Sequence, residues 1–322
     1  MPRQISRRAL LAQTAALAAL APSAMATTPM ATEQVPGVYR TRLGAFEITT
    51  LFDGELRRPI DDTYIRNAPF ADVQAALQTA LLPTEFIDNP YTFTAINTGA
   101  QLILVDTGTG DLFDPSIDQG ARSLAAAGIA PEDVDLVVLT HYHPDHVGGL
   151  TNPDGTPAFP NAEILFPEAE HQFLFDPART GQLPQMMQNF ADQARTKLSA
   201  YEGRLRLITD GEEIAPGITA LASPGHTAGH IVLHVESEGE ELLILGDTVT
   251  YPALFVANPN WHVVFDADGP QATETRIALL DRAAADGARI IGYHFPFPSI
   301  GRVAATGDGF AYVPERWSGI LR

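Results

Sequence analysis

Val137-Val138-Leu139-Thr140-His141-Tyr142-His143-Pro144-Asp145-His146-Val147-Gly148-Gly149 is the stretch from which the rest of this chain can be read. Its apolar lead, within Val134 to Leu139, reads as a strand covered on both faces. The strand then delivers three histidines and an aspartate within six positions. His141 and His143 stand two apart, so at a strand end they point the same way and can share one metal. Pro144 stiffens the turn, and Asp145 and His146 beyond it can be turned toward a second metal. Gly148 and Gly149 are expected to let the backbone leave tightly. Four metal-capable side chains so close together at the exit of a buried strand make a metal centre a better reading than a surface loop that happens to hold histidine.

Composition narrows the chemistry. The 322 residues include 45% hydrophobic side chains, enough for a sizeable core. Lys and Arg number 20 against 39 Asp and Glu, a formal charge of −19, which repels a phosphate backbone at long range and excludes nucleic acid as the expected partner. There is no cysteine, so disulfides, thiolate zinc sites and cysteine nucleophiles are absent and any metal must rest on His, Asp and Glu. The opening Ser6-Arg7-Arg8, the Ala/Leu-rich run to Ala21 and Ala24-Met25-Ala26 read as a secretory signal over residues 1–26, similar to a twin-arginine signal. The apolar run is about a dozen residues, too short for a stable membrane anchor. Cleavage after Ala26 removes three arginines and leaves 296 residues with a charge of −22, in a periplasmic or secreted protein.

The region 27–322 reads as one domain of alternating strands and helices. Phe46 to Leu51 is a strand followed by a turn at Asp53-Gly54; residues 60–90, with a helical patch from Asp72 to Leu82, look like an insertion rather than core. That patch suits a cover over a pocket or the surface of a homodimer. Tyr91 to Asn97 and Gln101 to Val105 form a hairpin, and Pro115 to Gly128 a helix. Helices are expected over Pro167 to Phe175, Gln182 to Tyr201 and Thr273 to Ala285, with strands at Ala162 to Phe166, Leu205 to Ile208, Ile218 to Ala222, Ile231 to Val235, Glu241 to Leu245 and Arg289 to Gly292. A weak repeat is visible: the apolar run ending in Asp106-Thr107 parallels the one ending in Gly246-Asp247-Thr248, as two similar β-rich halves would. The order of elements predicts an α/β sandwich of two mixed sheets with helices on the outer faces.

The motif His141-x-His143-x-Asp145-His146 resembles the metallo-β-lactamase superfamily, and the remaining family positions follow in order: Ser223-Pro224-Gly225-His226, Leu245-Gly246-Asp247 and Gly292-Tyr293-His294. The resemblance implies a four-layer αββα fold. It places His141, His143 and His226 on one metal, Asp145, His146 and His294 on another, and Asp247 between both. Seven nitrogen and oxygen donors suit two zinc ions, with manganese, cobalt or iron as other possible occupants. Two such cations generate a metal-bound hydroxide and polarise a carbonyl or phosphoryl oxygen, so hydrolysis of a small molecule is implied, with Asp145 and Asp247 as the catalytic carboxylates. Asp106 and His230 are expected to support the ligands rather than join them. His171, His234 and His262 lack ligand spacing.

Within the superfamily, Gly37-Val38-Tyr39-Arg40, Val105-Asp106-Thr107-Gly108 and Phe295-Pro296-Phe297-Pro298 resemble the branch of methyl parathion hydrolase and lactonases. That implies a lactone, ester or phosphotriester substrate and a pocket walled by aromatics, for which Phe113 and Phe175 stand at comparable places. Lactonases acting on acyl-homoserine lactones carry Tyr three residues after the shared aspartate; here that residue is Thr250, and Tyr251 follows. A thioesterase or β-lactamase of the same fold is the alternative. An iron-dependent redox protein would have Glu where His143 stands, and a non-catalytic metal-binding protein would not need the full seven residues.

Overall fold

The computed structural model describes residues 28–113, 117–307 and 309–321, so the expected signal segment over residues 1–26 lies outside them. The chain divides into Met1–Val35, with no helix or strand among its described residues, and Pro36–Arg322. In the larger unit one sheet runs β1 (Val38–Leu43), β2 (Phe46–Pro59), β3 (Phe86–Asn97), β4 (Leu102–Val105), β5 (Leu136–Val138), β6 (Glu163–Pro167) and β7 (Leu205–Ile208), each beside its neighbour in sequence. The other follows the same rule through β8 (Glu213–Ala215), β9 (Ile218–Ala222), β10 (Ile231–Ser237), β11 (Glu240–Ile244), β12 (Arg289–Ile291), β13 (Ile300–Ala305) and β14 (Phe310–Pro314). Both sheets are mixed. Strands β1 to β4 are antiparallel and β4 to β7 parallel. In the second sheet only β11 and β12 are parallel.

The strand sequences explain the layering. Side chains alternate across a sheet, so in β4 Ile103 and Val105 enter the core between the sheets while Leu104 faces outward; Leu242 and Ile244 of β11 face Ile103's layer while Leu243 faces away. Continuous apolar runs are needed because helices cover both outer faces. α2 (Gly120–Ala127), α4 (Glu168–Leu174) and α6 (Gln185–Ser199) bury Leu124, Leu174, Ala191, Ala194 and Leu198 on the first sheet. α1 (Phe70–Thr79), α7 (Pro252–Phe255) and α8 (Gly269–Asp286) bury Val73, Leu77, Leu254, Phe255, Leu280 and Ala283 on the second. The remaining short helices are α3 (Pro144–Val147) and α5 (Pro177–Thr180). This is the expected αββα sandwich, and the repeat is structural: β3–β4 and β10–β11 are antiparallel hairpins whose second strand gains a parallel partner.

Three local expectations change. Asp53-Gly54 is a bulge inside the continuous strand β2 rather than a turn. Asp53 is fully buried, and its carboxylate accepts from Thr109 N (2.7 Å), Thr109 Oγ1 (2.8 Å), Gln119 N (3.1 Å) and Gly120 N (2.6 Å). A two-against-one bulge aims that side chain inward without ending the strand. Of residues 60–90, the last five belong to β3, and Ile60, Tyr64, Ile65, Val73, Leu77 and Ile87 are core, because this segment closes the outer face of the second sheet. Gly148 and Gly149 serve close approach: a Cβ would lie 1.9 Å from Thr109 O and 2.1 Å from Thr107 O. Among the described residues, no helix is long and apolar enough to cross a membrane.

Candidate metal centre

Parallel strands bring their carboxyl ends to one edge of the sandwich. Asp106 follows β4, His141 and His143 follow β5, Asp247 follows β11 and His294 follows β12. α3 begins at Pro144, whose fixed φ suits a first helical position, and this single turn carries Asp145 and His146 back toward the strand ends. The loop after β9 supplies His226. Thus all seven residues expected to bind metal meet in two groups whose donor atoms lie within 4.8 Å of one another: His141, His143, His226 and Asp247, and Asp145, His146, Asp247 and His294. Asp247 belongs to both.

Hydrogen bonds set which nitrogen of each ring faces inward. His146 Nδ1 lies 2.8 Å from Asp106 Oδ2, His226 Nδ1 3.1 Å from Asp266 Oδ1, and His294 Nδ1 2.8 Å from Pro90 O. These partners only accept, and at His294 the Pro90 carbonyl is nearer than the Asn89 amide nitrogen at 3.1 Å, so in a neutral ring Nδ1 carries the hydrogen and Nε2 keeps its lone pair. The three Nε2 atoms then face carboxylate oxygens. His146 Nε2 is 3.3 Å from Asp247 Oδ1, His226 Nε2 and His294 Nε2 are each 3.3 Å from Asp247 Oδ2, and His294 Nε2 is 3.3 Å from Asp145 Oδ2. His143 Nδ1 also stands 3.0 Å from His226 Nε2.

Lone pairs facing anions in a buried site repel unless positive charge lies between them. His141 Nε2, His146 Nε2 and Asp247 Oδ1 are buried and find no hydrogen-bond partner, as donors reserved for a cation would. The carboxylates also favour positive charge at the centre. Burial opposes charge on every ring, yet the surrounding carboxylates outweigh it at His146, raised to about 10, and at His226, raised to about 9. His141 and His143 meet chiefly burial and other rings: His141 falls well below the ordinary imidazole value and His143 to about 3. The residues present fit two divalent cations.

The expected supports are in contact with the ligands. Asp106 bonds His146 and is itself held by Thr140 N (2.8 Å) and Thr140 Oγ1. His230 joins neither group; its Nε2 accepts from Asp247 N at 3.0 Å. Several supports escaped the sequence reading. Buried Glu170 accepts from Tyr142 N (3.1 Å) and Gly229 N (2.7 Å), tying the strand exit to the His226 loop. Tyr293 stacks on His146, ring centroids 3.9 Å apart, and donates to Asp145 O. Asp266 lies 40 residues from His226, so no local spacing signals it.

A cleft with about 550 Å³ of empty space, open to solvent, lies over these residues. His143, Asp145, His226, Asp247 and His294 line its floor; Tyr64, Tyr91, Phe113, Phe190 and Phe265 are among its walls, with Arg58 and Asn89 as polar points. Phe113 is therefore where the sequence suggested. Phe175 is not among the lining residues: it is 45% exposed and stacks on His171, because α4 ends with that ring turned to the surface, and Phe190 of α6 walls the cleft beside His143 instead. Thr250 lines the cleft with its Oγ1 unpartnered, whereas Tyr251 is buried outside that lining. His234 pairs with Glu241 at 3.0 Å, away from the centre.

A family model described as the metallo-beta-lactamase superfamily matches residues 88–294. An N-acyl homoserine lactonase from a Bacillus species is 26% identical over 196 residues, spanning 55% of this chain and 70% of that protein. A probable metallo-hydrolase of Mycobacterium tuberculosis is 26% identical over 174 residues, 47% of this chain and 54% of the relative. Among solved structures, the dizinc quorum-quenching lactonase AidC, in complex with the product N-hexnoyl-L-homoserine, superposes with a TM-score of 0.84 at 25% identity, covering 89% of this chain and all of that one. The hydrolase AbOPH gives 0.83 at 27% identity with the same coverage.

Proposed function

The chain belongs to the metallo-beta-lactamase superfamily, and from that premise we propose that this hydrolase opens lactones and cleaves related esters with two metal ions, zinc first among them. The observation that carries the reading is the convergence of His141, His146 and Asp247, with unpartnered buried donor atoms, beneath an aromatic cleft. His141, His143 and His226 would hold one ion, Asp145, His146 and His294 the other, and Asp247 both. When bound, the pair supplies an acidified water and polarisation of the substrate carbonyl.

The protein's own groups do the rest. Asp145 Oδ2, at the cleft floor and the less buried of the two catalytic carboxylates, would accept a proton from the attacking water and return it to the departing alkoxide oxygen as the carbonyl–oxygen bond breaks. Asp247 holds the two halves of the centre at one spacing. Phe113, Phe190 and Phe265 take the apolar arm of the substrate and exclude bulk water from it, a role suited to their place on the cleft wall. Thr250, at the position where acyl-homoserine lactonases carry tyrosine, lines the cleft and holds a buried, unpartnered hydroxyl as a donor for a substrate oxygen.

The lactonase relatives and the AidC structure favour lactones as the substrate class. A parallel panel of lactones, aryl esters, phosphotriesters and a β-lactam tests this. The proposal expects the highest kcat/KM on a lactone or ester; a β-lactam preferred over every lactone and ester would overturn it. Two further elements of the proposal rest on the sequence: export through the twin-arginine-like segment, checked by fractionation and N-terminal sequencing of the mature protein, and a homodimer, checked by sedimentation.

A further inference from the structure

We propose that Arg276 and Asp266 position His226, and that through this pair helix α8 sets how tightly the His141/His143/His226 site holds its metal; the inference rests on the two-metal reading above. Arg276 lies on the buried stripe of α8 with Ala272, Leu280 and Ala283 and is 1% exposed. A guanidinium buried among apolar residues must find partners for its donors. Nε donates to Thr248 O (2.8 Å), Nη1 to Pro259 O (3.0 Å) and Trp261 O (2.6 Å), and Nη2 to Asp266 Oδ2 (3.2 Å). Its one anionic partner is thus the carboxylate whose other oxygen meets His226 Nδ1 at 3.1 Å.

The Nε bond ends on the Thr248 carbonyl, one residue beyond Asp247, whose own N–H is held by His230 Nε2. The two residues before α8 and one side chain on it contact the His226 loop. Ala267 N donates to His226 O (3.0 Å), Asp268 N to Gly225 O (2.9 Å), and Thr275 Oγ1 to Pro224 O (2.8 Å). A Cβ at Gly225 would stand 2.2 Å from Ala272 N, so loop and helix meet with no space between them.

The two carboxylate–histidine pairs are built differently. Asp106, behind His146, is held by the neutral donors of Thr140. Asp266 is held by a buried cation as well as by Val263 N (3.2 Å). Arg276 offsets the negative charge of Asp266 and fixes the carboxylate whose other oxygen meets the His226 ring. Both are positioning residues, since neither lines the cleft.

The test uses the zinc-loaded protein, with zinc content followed during graded chelator competition, and the singly cobalt-loaded protein, followed by visible absorption. Asp266→Asn and Arg276→Lys should each weaken one of the two ions by about 10- to 100-fold and leave the other unchanged. The cobalt spectrum of the ion that remains should match that of His226→Ala. Asp106→Asn should do the reverse and leave the spectrum of the other site. If Asp266→Asn fails to fold, Arg276→Lys, which keeps the charge but loses the fork of donors, carries the test. Equal weakening of both ions, or no change in either, would overturn the role given to the pair. A wild-type protein that binds fewer than two ions would instead refute the two-metal reading on which it rests.

Discussion

Removing the carboxylate of Asp53 is expected to destabilise the protein more than any single contact at the surface could. In Asp53→Ala two buried main-chain donors, on Thr109 and Gly120, lose their acceptor, while Gln119 N keeps the main-chain carbonyl of residue 53 at 3.0 Å and Thr109 Oγ1 keeps Ile117 O at 2.8 Å. An orphaned buried N–H costs about 1–3 kcal/mol, which sums to about 2–6 kcal/mol for the two. Loss of a negative charge at the start of α2 adds a few tenths of a kcal/mol to about 1 kcal/mol. Removing the desolvation cost of the carboxylate, and entry of water from the adjoining groove lined by Gly120 and Asp118, pull the total toward the lower end, about 3 kcal/mol. At roughly 2–4 °C per kcal/mol for a domain of this size, the midpoint falls by about 6–12 °C. Asp53→Asn, which keeps one acceptor oxygen, should cost about half as much. Thermal unfolding followed by circular dichroism, at matched metal loading, measures both. A shift below about 2 °C in the alanine variant would refute the assignment of these hydrogen bonds.

Glu170 gives the pH dependence. Burial raises its carboxyl from 4.5 to about 7, against the hydrogen bonds it accepts. Because the folded value lies above the unfolded one, its contribution is fully present below about pH 4.5 and is lost as pH rises through 7. Wild type should therefore lose up to about 3 kcal/mol relative to Glu170→Gln between pH 4.5 and 8 in urea titrations, and parallel curves would contradict this. Phe190→Ala should lower kcat/KM for lactones with a long apolar arm by about 5- to 30-fold, the equivalent of about 1–2 kcal/mol of lost apolar contact. Phe175→Ala should leave the same ratio unchanged, and an equal loss in both variants would count against the cleft described. Asp247→Ala should abolish hydrolysis and reduce the metal content at both positions, since its carboxylate stands beside His226, His146 and His294 alike.

Much of this centre is legible in the chain because metal chemistry limits the choice of residues. With no cysteine available, a strand end carrying His141, His143, Asp145 and His146 has few other uses, and the downstream loops at His226, Asp247 and His294 complete it in order. Strands such as Leu205–Ile208 and Ile218–Ala222 are equally plain, since apolar runs of that length between turn residues leave little choice. What escapes has a common physical cause: its meaning depends on a partner far away in sequence. Asp53-Gly54 has the composition of a turn, and only the donors of Thr109, Gln119 and Gly120 turn it into a bulge. Asp266 gains its role from Arg276 and His226. Phe175 and Phe190 are both aromatics near helix ends or faces, and only the packing of α6 against His143 brings the second one to the cleft. The hairpin of β13 and β14 is missed because Gly301, Arg302 and the alanines between Ile300 and Ala305 break the apolar alternation that announces a strand.

The decisive measurement is a metal titration into the stripped protein, with zinc content and lactone hydrolysis read on the same samples. Two ions should bind per chain, with full activity reached only near the second equivalent. Full hydrolytic activity in folded protein carrying no metal, or saturation at a single ion, would contradict the two-metal centre built from His141, His143, Asp145, His146, His226, Asp247 and His294.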